Sequence, residues 1–303
     1  MTDSMEFRIP NTPANPGTPA PAAEKVRQLR PGPSDEALRL LNWLVNRSRR
    51  TTGLPLAEPF VRRAEASAPA PPLARLLRGG QGGEVRLKLY LTMSLLAVNP
   101  PYDIAQPVPA RSWAEMLDLP DPGRNGARRV NDAIDWLADN KLIVSERRQG
   151  TPGAVRLLSQ DGSGEPYTRP RGSERYVRLP LGLWQDGWVV RLSGAALALL
   201  IILMDMQGAR ARASWVSPAQ ARARYDLSPD TWTKGVQELE AFELVNVVKK
   251  PQGDFFDYKR MRNSYWVSVE KIQGAAPPGA GPGGGRAGRR VRVSLRVPSA
   301  ASK

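Results

Sequence analysis

An α+β fold, with one order of elements used twice, is what this sequence predicts, and three observations lead to it. The stretch from Val130 matches the stretch from Trp232 at a constant offset of 102 residues: Ile134 falls on Val236, Leu137 on Leu239, Leu142 on Leu244, Ile143 on Val245, and Arg147-Arg148 on Lys249-Lys250. Both stretches change from helical spacing of apolar residues to a short β-rich run, "LIVS" in one and "LVNVV" in the other, as a helix leading directly into a strand would. Each also has an apolar helix upstream, over residues 84 to 98 and 193 to 206.

Taken in order, residues 1–33 are rich in proline and poor in apolar side chains, and a disordered tail is expected there. An isolated helix is expected over 34–50. Ser34 can cap it, Asp35 and Glu36 fall in its first turn, Leu38, Leu41, Leu44 and Val45 make a stripe, and Arg47, Arg49 and Arg50 close it. Residues 51–83, which include "SAPAPPLARLLRGGQGG", read as a linker.

The first domain is expected over 84–158: helix, short helix capped by Ser112, polar helix, strand, basic loop, and a last strand "AVRLL". A second linker covers 159–175. The second domain, 176–272, repeats the order with Ser217 as the cap and "NSYWVSV" as the last strand. Its lead-in, "RYVRLPLGLWQDGWVVRL", carries Val177, Leu179, Leu183, Trp184 and Trp188, which read as cover for one end of the core rather than as a ligand pocket. Residues 273–303 are Gly/Pro-rich and then purely basic, a flexible tail.

Composition excludes several classes of chemistry. The 303 residues include no cysteine and no histidine, which removes disulfides, thiolate or imidazole metal sites, and Cys- or Ser-His-based hydrolysis. Asp254 and Asp257 are the nearest carboxylate pair, with no third ligand at a telling spacing. "GAGPGG" fits a dinucleotide-binding pattern but has no strand before it or helix after it. No enzymatic activity, metal or cofactor is expected. No apolar run approaches the length of a membrane span, so a cytoplasmic, nucleoid-associated protein is expected, without membrane contact.

The formal charge is +15, with 35 arginines to 9 lysines. Much of the excess falls in residues 1–80 and 274–303, which makes it a property of the tails in this reading.

The doubled order of elements and its hydrophobic register resemble the winged helix-turn-helix family, over about residues 84 to 158 and 176 to 272. The lead-in to the second unit resembles that of helix-turn-helix proteins on mobile elements of GC-rich, actinobacterial-type genomes. Two winged units in tandem, one leaning to dimerisation and one to DNA, are also similar in architecture to iteron-type plasmid replication initiators. The resemblance implies a recognition helix that enters the major groove and a hairpin wing that follows the backbone.

In the second polar helix, Trp232, Val236 and Leu239 cluster inward. Asp230, Thr231, Thr233, Lys234 and Gln237 are the candidate reading residues. Lys249, Lys250, Lys259, Arg260 and Arg262 bracket the wing turn and are candidates for phosphate contact. Phe255, Phe256 and Tyr258 read as anchors of the wing. The first polar helix turns Arg128, Asn131, Asp132, Asp135 and Asp139 outward, and three carboxylates facing a polyanion argue against insertion. Arg128, Arg147 and Arg148 are therefore expected to make only secondary backbone contacts, and the first unit to serve protein contact, with a homodimer formed together with helix 34–50. The expected function is sequence-specific double-stranded DNA binding by a transcriptional regulator without a small-molecule effector. The alternatives are a replication initiator at iteron-type repeats and a winged-helix module for protein interaction.

Overall fold

Ser34 caps the first helix as expected in the computed structural model, which describes residues 30–80, 82–104, 106–148, 151–208, 214–252 and 260–273. The Ser34 hydroxyl accepts from the Ala37 N–H at 3.2 Å, and helix α1 runs Asp35–Ser48. The helix is not isolated. Ala37, Leu41, Leu44 and Val45 are buried, and the Asn42 side-chain amide donates to the Gln185 carbonyl at 2.9 Å. An apolar stripe left in water is costly, and here the chain's own core covers it. The stripe is therefore unavailable for the expected dimer contact.

The segment expected as a linker is folded too. It forms strand β1 (Leu54–Ala57), helix α2 (Glu58–Val61) and helix α3 (Pro72–Leu77). Leu54, Leu56, Phe60, Val61, Leu73 and Leu76 are each no more than 1% exposed. Its proline content concealed this, because proline at a helix's first turn or on an edge strand disrupts nothing.

Helix α4 (Gly82–Leu96) is buried almost all round and is the central helix of the first unit. Strand β2 (Asp103–Ile104), helix α5 (Ala110–Met116), a π-helical turn (Pro122–Gly126), helix α6 (Ala127–Asp139), and strands β3 (Ile143–Arg148) and β4 (Thr151–Leu157) follow. The sheet is antiparallel, in the order β2-β4-β3. Ser112 does not cap α5 but lies in its body. Pro109 occupies the N-cap position, and its fixed φ lets the helix begin earlier.

The second expected linker also packs down. Gln160 and Tyr167 are buried, Gln160 Oε1 accepts from the Ala57 N–H at 2.6 Å, and Tyr167 meets Tyr102 edge-on at 4.8 Å. Strand β5 (Tyr176–Leu179) pairs antiparallel with β1, Leu54 opposite Leu179. Helices α7 (Gly182–Gln185) and α8 (Trp188–Arg191) complete the lead-in, with Leu183 and Trp184 fully buried, as cover for a core requires.

The second unit consists of the apolar helix α9 (Gly194–Gln207), helices α10 (Pro218–Tyr225) and α11 (Pro229–Ala241), and the hairpin strands β6 (Val245–Gln252) and β7 (Arg260–Val267). The repeat is reproduced residue by residue where the polar helix meets its strand. Lys141 and Glu243, 102 positions apart, both turn with positive φ, at 58° and 55°. The next N–H, of Leu142 or Leu244, then donates to the carbonyl of Leu137 or Leu239, at 3.0 and 2.9 Å.

The architecture is α+β, helices with small antiparallel sheets. One cluster of buried apolar side chains takes in Leu41 of α1, Leu56 of β1, Trp113 of α5 and Leu197 of α9. The charge is distributed differently from the expectation. Residues 30–80, with nine Lys/Arg against four Asp/Glu, belong to this folded body, while residues 1–29 are balanced at three of each.

Candidate nucleic-acid interface

Ser228 starts α11, its hydroxyl accepting from the Thr231 N–H at 3.1 Å, and Trp232, Val236 and Leu239 turn inward as expected. Trp232 holds the helix in place. Its Nε1 donates to the Tyr265 hydroxyl at 3.2 Å, which ties α11 to β7. At Gly235 α11 lies tight against α9: a Cβ there would lie 2.9 Å from the Ala195 carbonyl oxygen.

The outward face of α11 carries Asp230, Thr233, Lys234 and Gln237, all exposed. Three of them are already engaged locally. Lys234 pairs with Asp230 at 2.8 Å, one turn apart, and the Thr233 hydroxyl donates to the Pro229 carbonyl at 2.9 Å. Thr231 stands beside the cap, its Oγ1 2.8 Å from Ser228 Oγ. Gln237 is exposed one turn beyond Thr233.

The hairpin is held from the side as well. Ser214 and Tyr265 exchange backbone hydrogen bonds at 2.9 and 2.7 Å, and the Val267 N–H donates to Gln207 Oε1 at 2.9 Å. Lys250 lies opposite Arg262 and Lys249 opposite Asn263, so the two lysines project from opposite faces. Successive residues of a strand cannot share a face, so the cations of the hairpin divide between its two sides. Arg262 is also not a free cation: its guanidinium stacks on the Trp215 ring, 4.0 Å from the centroid. Lys259, and the aromatic residues and carboxylates of residues 254–258, lie outside the described residues, as do the side chains of Arg260, Arg147 and Arg148.

In the first unit Arg128, Asn131, Asp132, Asp135 and Asp139 are all exposed on α6. This face carries more negative charge than that of α11. The Arg86 guanidinium lies over the Trp136 ring at 4.8 Å, and burial lowers its pKa against the opposing charge of Asp132.

Sequence reasoning missed Trp215 and Trp266, which are 46% and 38% exposed. The signal was present in "NSYWVSV", where Tyr265 and Val267 are buried and the residue between them must face outward. It also missed Arg222 and Arg224, exposed on α10. Behind Trp215 lies a cavity of about 260 Å³, lined by Arg62, Arg175, Asp205 and Tyr225 among others. Burial raises the Asp205 pKa, and the carboxylate accepts from the Tyr225 hydroxyl at 3.0 Å with Arg62 3.7 Å away. That arrangement holds α10 against α9 and is structural.

Among the described residues no three His, Cys, Asp or Glu side chains gather as a metal site would require, and no helix is long and apolar enough to cross a membrane. No family model, curated protein or solved structure matches the chain.

Proposed function

We propose that the chain binds double-stranded DNA sequence-selectively through α11 and the β6–β7 hairpin, each repeated unit being a winged helix-turn-helix. One observation carries the reading. In both units the segment between the first and second helices pairs with the second hairpin strand, β2 with β4 and Ser214 with Tyr265 of β7. This pairing fastens the hairpin beside the third helix and leaves that helix's polar side open to a groove wide enough for one helix.

Charge assigns the two units different parts. Strands β6 and β7 contain two lysines, two arginines and no carboxylate, which suits phosphate contact. The exposed Asp132 and Asp139 of α6 would be repelled by the same backbone, which supports a protein-contact role for the first unit. In this reading the protein regulates transcription. A replication initiator acting at repeated sites would use the same two-unit division, and short direct repeats beside the gene would favour it.

Footprinting on genomic fragments supplies the preferred site, and a salt titration of two variants then tests the reading. Gln237→Ala loses an amide able to pair with adenine and should forfeit about 1 to 3 kcal/mol of preference for that site, leaving random duplex unaffected. Lys250→Ala should weaken all sequences alike and lower the salt slope by about 1. Equal weakening of both duplexes by Gln237→Ala, or a wild-type protein that cannot tell them apart, would overturn the reading.

A further inference from the structure

The described residues include five large apolar side chains that are well exposed, and four of them gather on and beside one hairpin: Trp215, Val248, Met261 and Trp266. The fifth, Trp43, is on α1. The strand register sorts them by face. Asn246 lies opposite Trp266, Val248 opposite Ser264, and Lys250 opposite Arg262, so these six share the side turned away from the core. Val245, Tyr265 and Val267 fill the inner side, each buried. One residue past the Ser214–Tyr265 pair, Trp215 comes level with Ser264 and joins the outer face, where Arg262 lies against its ring.

We infer that this outer face of the β6–β7 sheet binds an unpaired nucleic-acid strand. Its chemistry sets rings beside cations: Trp266 and Trp215, with Arg262 over Trp215 and Lys250 opposite Arg262. Rows on the face recur every second residue, about 6.6 to 6.8 Å apart, so bases no longer stacked on one another can each meet a side chain. Tryptophan rings stack on any base, and the cations meet the phosphates between bases. Neither hairpin strand nor residues 214–217 contain a carboxylate, in a chain with 29 of them, so the patch is complementary to a polyanion. A duplex conceals its base faces and could use the cations but not the rings. The unpaired strand is the occupant that uses both. The surface shares Lys250 with the proposed duplex contact, but its rings, Trp215 and Trp266, lie off the outward side of α11, and the inference rests on them rather than on the duplex reading.

Anisotropy of a labelled oligothymidylate, of an abasic strand of equal length and of a duplex, each with the intact chain, tests the assignment. Wild-type protein should bind the oligothymidylate more tightly than the abasic strand. Trp215→Ala and Trp266→Ala should each weaken oligothymidylate binding on the order of tenfold, Trp266→Phe should restore most of the loss, and Trp266→Ala should leave duplex affinity unchanged. Iodouracil photocrosslinking of the wild-type chain gives a readout independent of variant folding, with crosslinked peptides expected to contain Trp215 or Trp266. Equal affinity for the abasic strand, indifference to both alanine variants, or crosslinks confined to residues 274–303 would overturn it. Self-association abolished by Trp266→Ala with oligothymidylate binding intact would also overturn it, and would make the face a contact between copies.

Discussion

Glu84 joins three parts of the chain through one carboxylate. It pairs with Arg30 and, at 2.7 Å, with Lys88 one turn along α4, and it accepts from the Gly194 N–H at 3.2 Å, where α9 begins. Burial alone would raise its pKa, but the hydrogen bond from Arg30 and the charge of Lys88 outweigh it and hold Glu84 at about 2, below the 4.5 of a free side chain. A depressed carboxylate stabilises the fold fully above pH 4.5 and loses that contribution as the pH falls toward 2. Glu84→Gln should therefore flatten the loss of stability in acid and lower stability at neutral pH by no more than about 3 kcal/mol. Urea unfolding across that range measures both effects. An unchanged acid slope would mean that Glu84 is not held by its two cations. Of its two ionic partners Lys88 was legible from the four-residue spacing, but Arg30 was not, since it lies 54 positions from Glu84 and only the fold brings them together.

Helices α9 and α11 meet at Gly235 because nothing larger fits. Alanine would raise helix propensity by about 1 kcal/mol, but its Cβ would stand 2.9 Å from the Ala195 carbonyl and 3.1 Å from the Leu199 side chain. Forcing two packed helices apart costs about 1 to 3 kcal/mol, so Gly235→Ala should destabilise the protein despite the better propensity. Thermal unfolding would show it, and a more stable variant would mean that α11 can shift on α9. The polar helices, their inward stripes and the hairpins that follow were legible because a 3.6-residue period changes to a period of two at Leu142 and at Leu244. The short elements β1, α2 and α3 were not, because four to six residues carry too little periodicity to stand out from a Pro/Ala-rich background.

A fragment of residues 81–273 contains both repeated units and, from sequence alone, should fold unaided. The packing of the N-terminal segment argues otherwise. Residues 30–80 supply β1, which pairs with β5, and six nearly inaccessible side chains from Leu54 to Leu76. At about 1.5 to 3 kcal/mol for each, their removal rivals the entire 5–15 kcal/mol that holds a domain folded. The fragment 81–273 should accordingly show no cooperative thermal transition, while 30–273 should keep one close to that of the intact chain. Cooperative unfolding of 81–273 would mean that the N-terminal segment only decorates the two units.

The repeat, its offset, the α+β class and the inward faces of the polar helices follow from local periodicity, which holds whatever the chain packs against. What packing alone decided is that the buried apolar side chains of residues 41–76 join the core and that Arg262 rests on Trp215. Those outcomes depend on strand register and on pairings between residues tens to more than a hundred positions apart, such as Leu54 with Leu179, for which no local pattern exists.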